Sequence, residues 1–161
     1  MDECNVTFIL APERDADPLG AFRRYEMYLA EEAARFPPGA FALATSDWYL
    51  GTDDHRAPHD AWLLGASFEE RPALDAGVLS LRVRLLGAYH DMELDFRYPT
   101  VFSYELHGLE LGRGHGDWRY DEFRLDHEGR LLHEIQWAGA KDRASWIICA
   151  DDVVFSAHAV S

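Results

Sequence analysis

The sequence predicts an α+β, mostly-β fold: an antiparallel meander of seven or eight strands curled into a barrel or sandwich, with one N-terminal helix packed on it. Three observations predict it. From residue 59 to residue 158 apolar and polar residues alternate in short runs, as on strands with one dry and one wet face. Between Asp17 and Phe36 apolar residues recur at helical spacing instead. The 161 residues are 48% apolar and 13% aromatic, enough to fill one core. No internal repeat is visible. The chain reads as a single domain, with residues 1–58 a strand, a helix and a loop, and residues 59–161 the β meander.

Val6 to Leu10 reads as a short strand ended by Ala11-Pro12. Asp17-Pro18 then opens the helix: the aspartate can accept from free backbone amides, and proline suits the first helical position. Phe22, Tyr25, Leu29, Ala33 and Phe36 form its apolar face, and Pro37-Pro38-Gly39 stops it. Phe41 to Leu50 fits a strand or a short helix, and a polar loop, Gly51 to Pro58, follows.

The clearest strands are Leu79-Leu81-Val83-Leu85, with Arg82 and Arg84 on the opposite face, and Met92-Leu94-Phe96-Tyr98, with Asp91, Glu93 and Asp95 opposite. Their link, Gly87-Ala88-Tyr89-His90, is short enough for an antiparallel hairpin. The expected register sets Leu85 by Met92, Val83 by Leu94 and Leu81 by Phe96, with Arg84 by Glu93 and Arg82 by Asp95 on a solvated face. Further strands are expected at Phe102–Leu106, Trp118–Leu125, Leu131–Trp137, Trp146–Cys149 and Val153–His158. Turns are expected at Gly129, Ala138–Arg143 and Asp151-Asp152.

The formal net charge is −14, from 15 basic and 29 acidic residues, and Lys141 is the single lysine. Such a field repels nucleic-acid phosphates and anionic membrane surfaces and attracts basic proteins. The simplest alternative is that the charge serves solubility. No run is long enough for a membrane-spanning helix. Met1-Asp2-Glu3-Cys4 lacks a basic, apolar leader, and Cys4 and Cys149 form no Cys-x-x-Cys pair, so the expectation is a cytoplasmic chain with reduced, packed thiols.

Candidate sites follow from residue chemistry. Trp48 and Tyr49, beside Asp53 and Asp54, form an aromatic–acidic patch suited to partner binding. His55, His59 and Asp60 in one loop, and His115 in another, are candidate metal ligands if they converge, although turn histidines are the plainer reading. His59-Asp60 also matches the central dipeptide of metal phosphohydrolases, but here it leads into a strand-like run rather than lying on a helix. Gly112-Arg113-Gly114-His115-Gly116 lacks the following helix that a phosphate loop requires and reads as a hairpin connection. Asp121-Glu122 carries no catalytic pattern, and no nucleophile motif is present. Neither a cofactor nor a catalytic residue is assigned.

Four short segments, His59-Asp60-Ala61-Trp62, Asp91-Met92-Glu93-Leu94-Asp95-Phe96, Tyr120-Asp121-Glu122-Phe123 and Trp146 to Asp152, occur in this order along the β region. This layout over residues 59–158 resembles small bacterial β-rich domains of unknown function, some of them polymorphic-toxin immunity proteins. The resemblance implies action by binding and brings no catalytic residues. The functional expectation is an acidic binding protein, an immunity-like inhibitor of a basic protein. The alternatives are a β-barrel or enzyme with an interior small-molecule pocket, and a metal-binding protein using the loop histidines.

Overall fold

The computed structural model describes residues 6–72, 74, 77–107, 114–140 and 144–161. Cys4, Gly112, Arg113 and Lys141 lie outside the described residues. Among the described residues eight strands form two four-stranded antiparallel sheets. The strands are β1 (Trp62–Arg71), β2 (Val78–Leu86), β3 (Met92–Tyr98), β4 (Val101–Leu106), β5 (Trp118–Leu125), β6 (Leu131–Trp137), β7 (Ser145–Ala150) and β8 (Val154–Ala159). The first sheet has the order β1-β2-β3-β8 and the second β4-β7-β6-β5. The two do not close into a barrel; among the described residues a bridge from Trp62 to Asp117 joins the β1 end to the residue before β5. The simple meander holds only for β1 to β3 and β5 to β7. The chain changes sheets between β3 and β4, and β8 returns to lie beside β3.

The core between the sheets has the predicted membership. Leu81, Val83, Leu85, Leu94, Phe96 and Tyr98 face in from the first sheet. Trp118, Phe123, Leu131, Ile135, Trp146 and Ile148 are buried on the second. The β2–β3 register, however, is displaced by two residues: Val83 faces Phe96, Leu85 faces Leu94 and Leu81 faces Tyr98. A shift of two keeps every side chain on its predicted face, so apolar alternation cannot distinguish the registers. The turn decides. Gly87 N–H donates to the Met92 carbonyl at 2.9 Å, leaving Ala88 to Asp91 as the loop, with His90 at φ 61°. The expected charge pairs survive as diagonals, Arg84 Nε to Glu93 Oε1 at 2.6 Å and Arg82 to Asp95. Asp95 is not solvated as its face predicts; it is 3% exposed.

The N-terminal third departs most from expectation. Residues 6–10 form bends and turns rather than a strand, followed by a 3-10 turn at Pro12–Asp15. Their amides have no neighbouring strand to pair with and donate instead to one carboxylate: Glu122 Oε2 accepts from Phe8, Ile9 and Leu10 at 3.1, 2.8 and 3.3 Å. Helix α1 (Pro18–Glu32) starts as predicted, with Asp17 Oδ1 accepting from Gly20 N–H at 3.0 Å. It ends short of the Pro37-Pro38 stop, and Pro38 opens a second helix, α2 (Pro38–Ala44). The ambiguous stretch from Phe41 thus starts as helix. The Asp152 carboxylate accepts from Gly39 and Ala40 amides, each at 2.9 Å, across the fold. Gly39 is required there, because a Cβ would lie 2.1 Å from the Val153 carbonyl.

Helix α1 also covers the β5 edge of the second sheet. The Tyr25 hydroxyl accepts from Phe123 N–H at 2.7 Å and donates to the Phe123 carbonyl at 2.8 Å. The Tyr28 hydroxyl accepts from Leu125 N–H at 2.8 Å. Residues three apart share a helix face, and the outward amides of an edge strand recur every two residues, so two tyrosines serve two successive edge positions. An edge strand that would otherwise template another chain is thereby closed.

Candidate functional site

Helices α1 and α2, with the residues after α2, enclose a groove of about 520 Å³. Phe22, Leu29, Phe41 and Leu50 supply its apolar lining, and Glu26 and Asp47 supply carboxylates. Leu29 is buried through the helical periodicity, and Phe22 and Phe41 are half-buried along the groove. Among the described residues neither Glu26 nor Asp47 makes a hydrogen bond or ion pair, and no arginine or histidine lines the groove. The Asp47 charge acts on Arg56 without an ion-pair contact. An apolar trough with two carboxylates free of direct ion pairs suits a side chain with an apolar stem and a cationic head.

The predicted patch lies beside this groove but is arranged differently from expectation. Tyr49 is 1% exposed, inside the core rather than on the surface. Trp48 is half-buried against Phe155, ring centroids 5.5 Å apart, and the Arg56 guanidinium lies 4.4 Å over its ring. Asp54 grips that same guanidinium through two oxygens, at 2.9 and 2.8 Å, and these hydrogen bonds lower its pKa to about 2. Of the predicted residues Asp53 alone is exposed, with Thr52 Oγ1 3.4 Å from its carboxylate.

Of the candidate metal ligands only His59 and Asp60 meet, His59 Nδ1 lying 3.3 Å from Asp60 Oδ2, while His55 and His115 have other partners. His55 stacks on Tyr89 at 4.0 Å and hydrogen-bonds Asp91 at 2.6 Å. His59 packs edge-on to Tyr120, and Asp60, at φ 63°, pairs with Arg119 at 3.3 Å. His115 is wedged between Trp137 and Trp146, where burial lowers its pKa. Among the described residues no three His, Cys, Asp or Glu side chains form a metal-binding group.

The pair set aside in the sequence, Asp121-Glu122, proves to be the most heavily engaged. The two carboxylates point to opposite faces of β5 and are 2% and 0% exposed. Asp121 faces the core. Its Oδ2 accepts from Tyr49 Oη at 2.6 Å and lies 2.7 Å from His133 Nε2, while Oδ1 accepts from Trp118 Nε1 at 3.1 Å. His133 Nδ1 is 2.6 Å from Tyr98 Oη. Donor counting assigns the protons. Trp118 and Tyr49 can only donate to the carboxylate, so His133 completes the set with Nε2–H, and its bare Nδ1 accepts from Tyr98. Burial raises Tyr49 and Tyr98 well above the usual tyrosine pKa, and Asp121 adds to the shift in both. A chain of Tyr, His and Asp has the parts of a proton relay, but it is sealed between the sheets and serves to specify their packing.

On the other face, Glu122 meets Arg124, whose second arm reaches Glu134 at 2.6 Å. Burial raises the Glu122 pKa, opposed by Arg124 and the amides of Phe8 and Leu10. Two adjacent carboxylates inside an aromatic run, Trp118 to Phe123, are the sequence signal for these networks, since a strand must send one to each face.

Compared with known proteins, the chain matches no family model, no curated protein and no solved structure. Among the described residues no helix is long and apolar enough to cross a membrane.

Proposed function

We propose that the chain is an acidic binding protein that takes a basic, partly apolar segment of a protein partner in the α1–α2 groove, as an immunity-like inhibitor does. The observation that carries this reading is the pairing of an apolar trough with Glu26 and Asp47, two carboxylates that make no hydrogen bond or ion-pair contact among the described residues, although the Asp47 charge is felt by Arg56. The charge of −14 supplies steering toward a cationic partner. A lysine or arginine stem laid on Phe22 and Leu50 buries methylene groups while its head reaches a carboxylate. Each such exposed ion pair contributes ~0.2–1 kcal/mol, so the apolar contact must supply most of the affinity.

The burial of Trp118, Phe96, Phe123, Tyr98 and Tyr49 between the sheets supports a surface-binding reading over an interior small-molecule site. The reading is tested with a fluorescent amphipathic peptide of lysine and leucine, followed by anisotropy. Saturable binding is expected, weakening about tenfold in Glu26→Gln/Asp47→Asn and falling as salt screens the field. A glutamate–leucine peptide that binds equally well, or an unchanged affinity in the double variant, overturns it.

A further inference from the structure

The outer face of the first sheet carries a feature that the net charge hides. Strand pairing places Ser67, Arg82, Arg97 and Val154 in one row across β1, β2, β3 and β8. Arg71 lies on the same face of β1 as Ser67, four residues on. These side chains line a groove of about 460 Å³ that also contains Glu69 and Pro99. Arg82 and Arg97 are directly opposite one another, a like-charge pair that is unfavourable on a sheet unless it is neutralised. Asp95 neutralises only Arg82. Among the described residues Arg97 and Arg71 have no ion pair or hydrogen bond.

That vacancy is unusual in this molecule. The protein has about two acidic residues per basic one, 29 against 15, and most of its arginines have found a carboxylate. Of the three described arginines without an ion pair or hydrogen bond, Arg23, Arg71 and Arg97, two nevertheless face the same groove. Three guanidiniums there meet the two carboxylates of Glu69 and Asp95, leaving local positive charge on a strongly negative protein. At physiological ionic strength charges beyond about 8 Å are screened, so a ligand in the groove responds mainly to these neighbours.

We propose that this groove binds a small phosphomonoester. The fork of a guanidinium matches two phosphoryl oxygens, and Arg97 and Arg71 can each offer one. Ser67 stands beside Arg82 in the row as a further hydroxyl donor. Pro99 and Val154 give the groove an apolar wall for the organic part of the ligand. A flanking carboxylate, Glu69, disfavours long polyanions and leaves room for one phosphoryl group.

The test is an NMR titration of the full chain that follows the arginine Nε–Hε signals, with phenyl phosphate, inorganic phosphate, benzoate and a thymidine oligonucleotide as probes. Phenyl phosphate should shift Arg97 and Arg71 saturably and bind several-fold tighter than inorganic phosphate or benzoate. Arg97→Gln should weaken it about tenfold, the loss of one charge-assisted contact. Arg23→Gln, on the exposed side of α1, should leave it unchanged. Shifts that never saturate, or an equal loss in both variants, overturn the proposal. Tighter binding of the oligonucleotide through the same arginines overturns the small-ligand assignment.

Discussion

Asp121→Asn is the most informative single change. The replacement has the same shape, so no cavity forms, and the whole effect falls on hydrogen bonding. Asp121 accepts from three buried donors: Tyr49 Oη, Trp118 Nε1 and His133 Nε2. An asparagine has one accepting oxygen. If it faces Tyr49 and His133, its amide group meets the Trp118 N–H, donor against donor, and Trp118 is 0% exposed with no other acceptor among the described residues. If it faces Trp118, His133 must change tautomer to accept from the amide, and the Tyr98 hydroxyl proton is stranded. Each buried unmet donor costs ~1–3 kcal/mol, and the surviving bonds lose charge assistance. The expected total is about 3–5 kcal/mol. For a chain of this length that lowers Tm by roughly 10–15 °C. Chemical denaturation with two probes measures it, together with Tyr49→Phe alone and combined. Tyr49→Phe should cost about 1–2 kcal/mol in the native sequence and less in the Asp121→Asn background, where it removes a surplus donor. An Asp121→Asn loss below about 1 kcal/mol, or equal Tyr49→Phe costs in both backgrounds, refutes the donor count.

Two more predictions follow from the tyrosines. Tyr25, Tyr49 and Tyr98 have pKa values raised well above 10 by burial, so the folded state keeps protons that the unfolded state gives up. Stability should therefore fall as pH climbs through the unfolded tyrosine value of about 10, by ~1.4 kcal/mol per pH unit for each group. Absorbance at the tyrosinate band, read beside circular dichroism, should show these three ionising only as the fold is lost; ionisation with the fold intact would contradict it. Tyr25→Phe uncovers both the amide and the carbonyl of Phe123 and should cost about 2–4 kcal/mol, against about 1 kcal/mol for Tyr28→Phe, whose half-exposed hydroxyl meets one amide. Light scattering should show Tyr25→Phe associating more readily, because the β5 edge is open; equal stability of the two variants would remove the edge-cover role.

Much of the β architecture was legible because burial repeats every two residues along a strand. Leu81, Val83, Leu94 and Phe96 announce a dry face from their spacing alone, and the α1 start was readable from Asp17-Pro18. The register was not, since a slip of two residues preserves every face, and only the Gly87–Met92 closure separates the alternatives. The strand expected at Val6–Leu10 failed because strand character needs a partner. These residues found the Glu122 carboxylate instead.

The sites were less legible than the fold, and for a related reason. Trp48 and Tyr49 are adjacent in sequence, yet one is half-buried and the other lies in the core, because position in a turn does not carry the strand's alternation. The α1–α2 groove brings Glu26 to Asp47 across 21 residues, and the arginine row brings Arg71, Arg82 and Arg97 together from three strands. The sequence by itself determined composition, charge, the alternation that makes sheets and the cap that starts α1, all of which depend on near neighbours. Which sheet each strand joined, which carboxylates were buried and which cations were left unpaired were decided only by tertiary structure, because those outcomes depend on the separation in space of residues far apart along the chain.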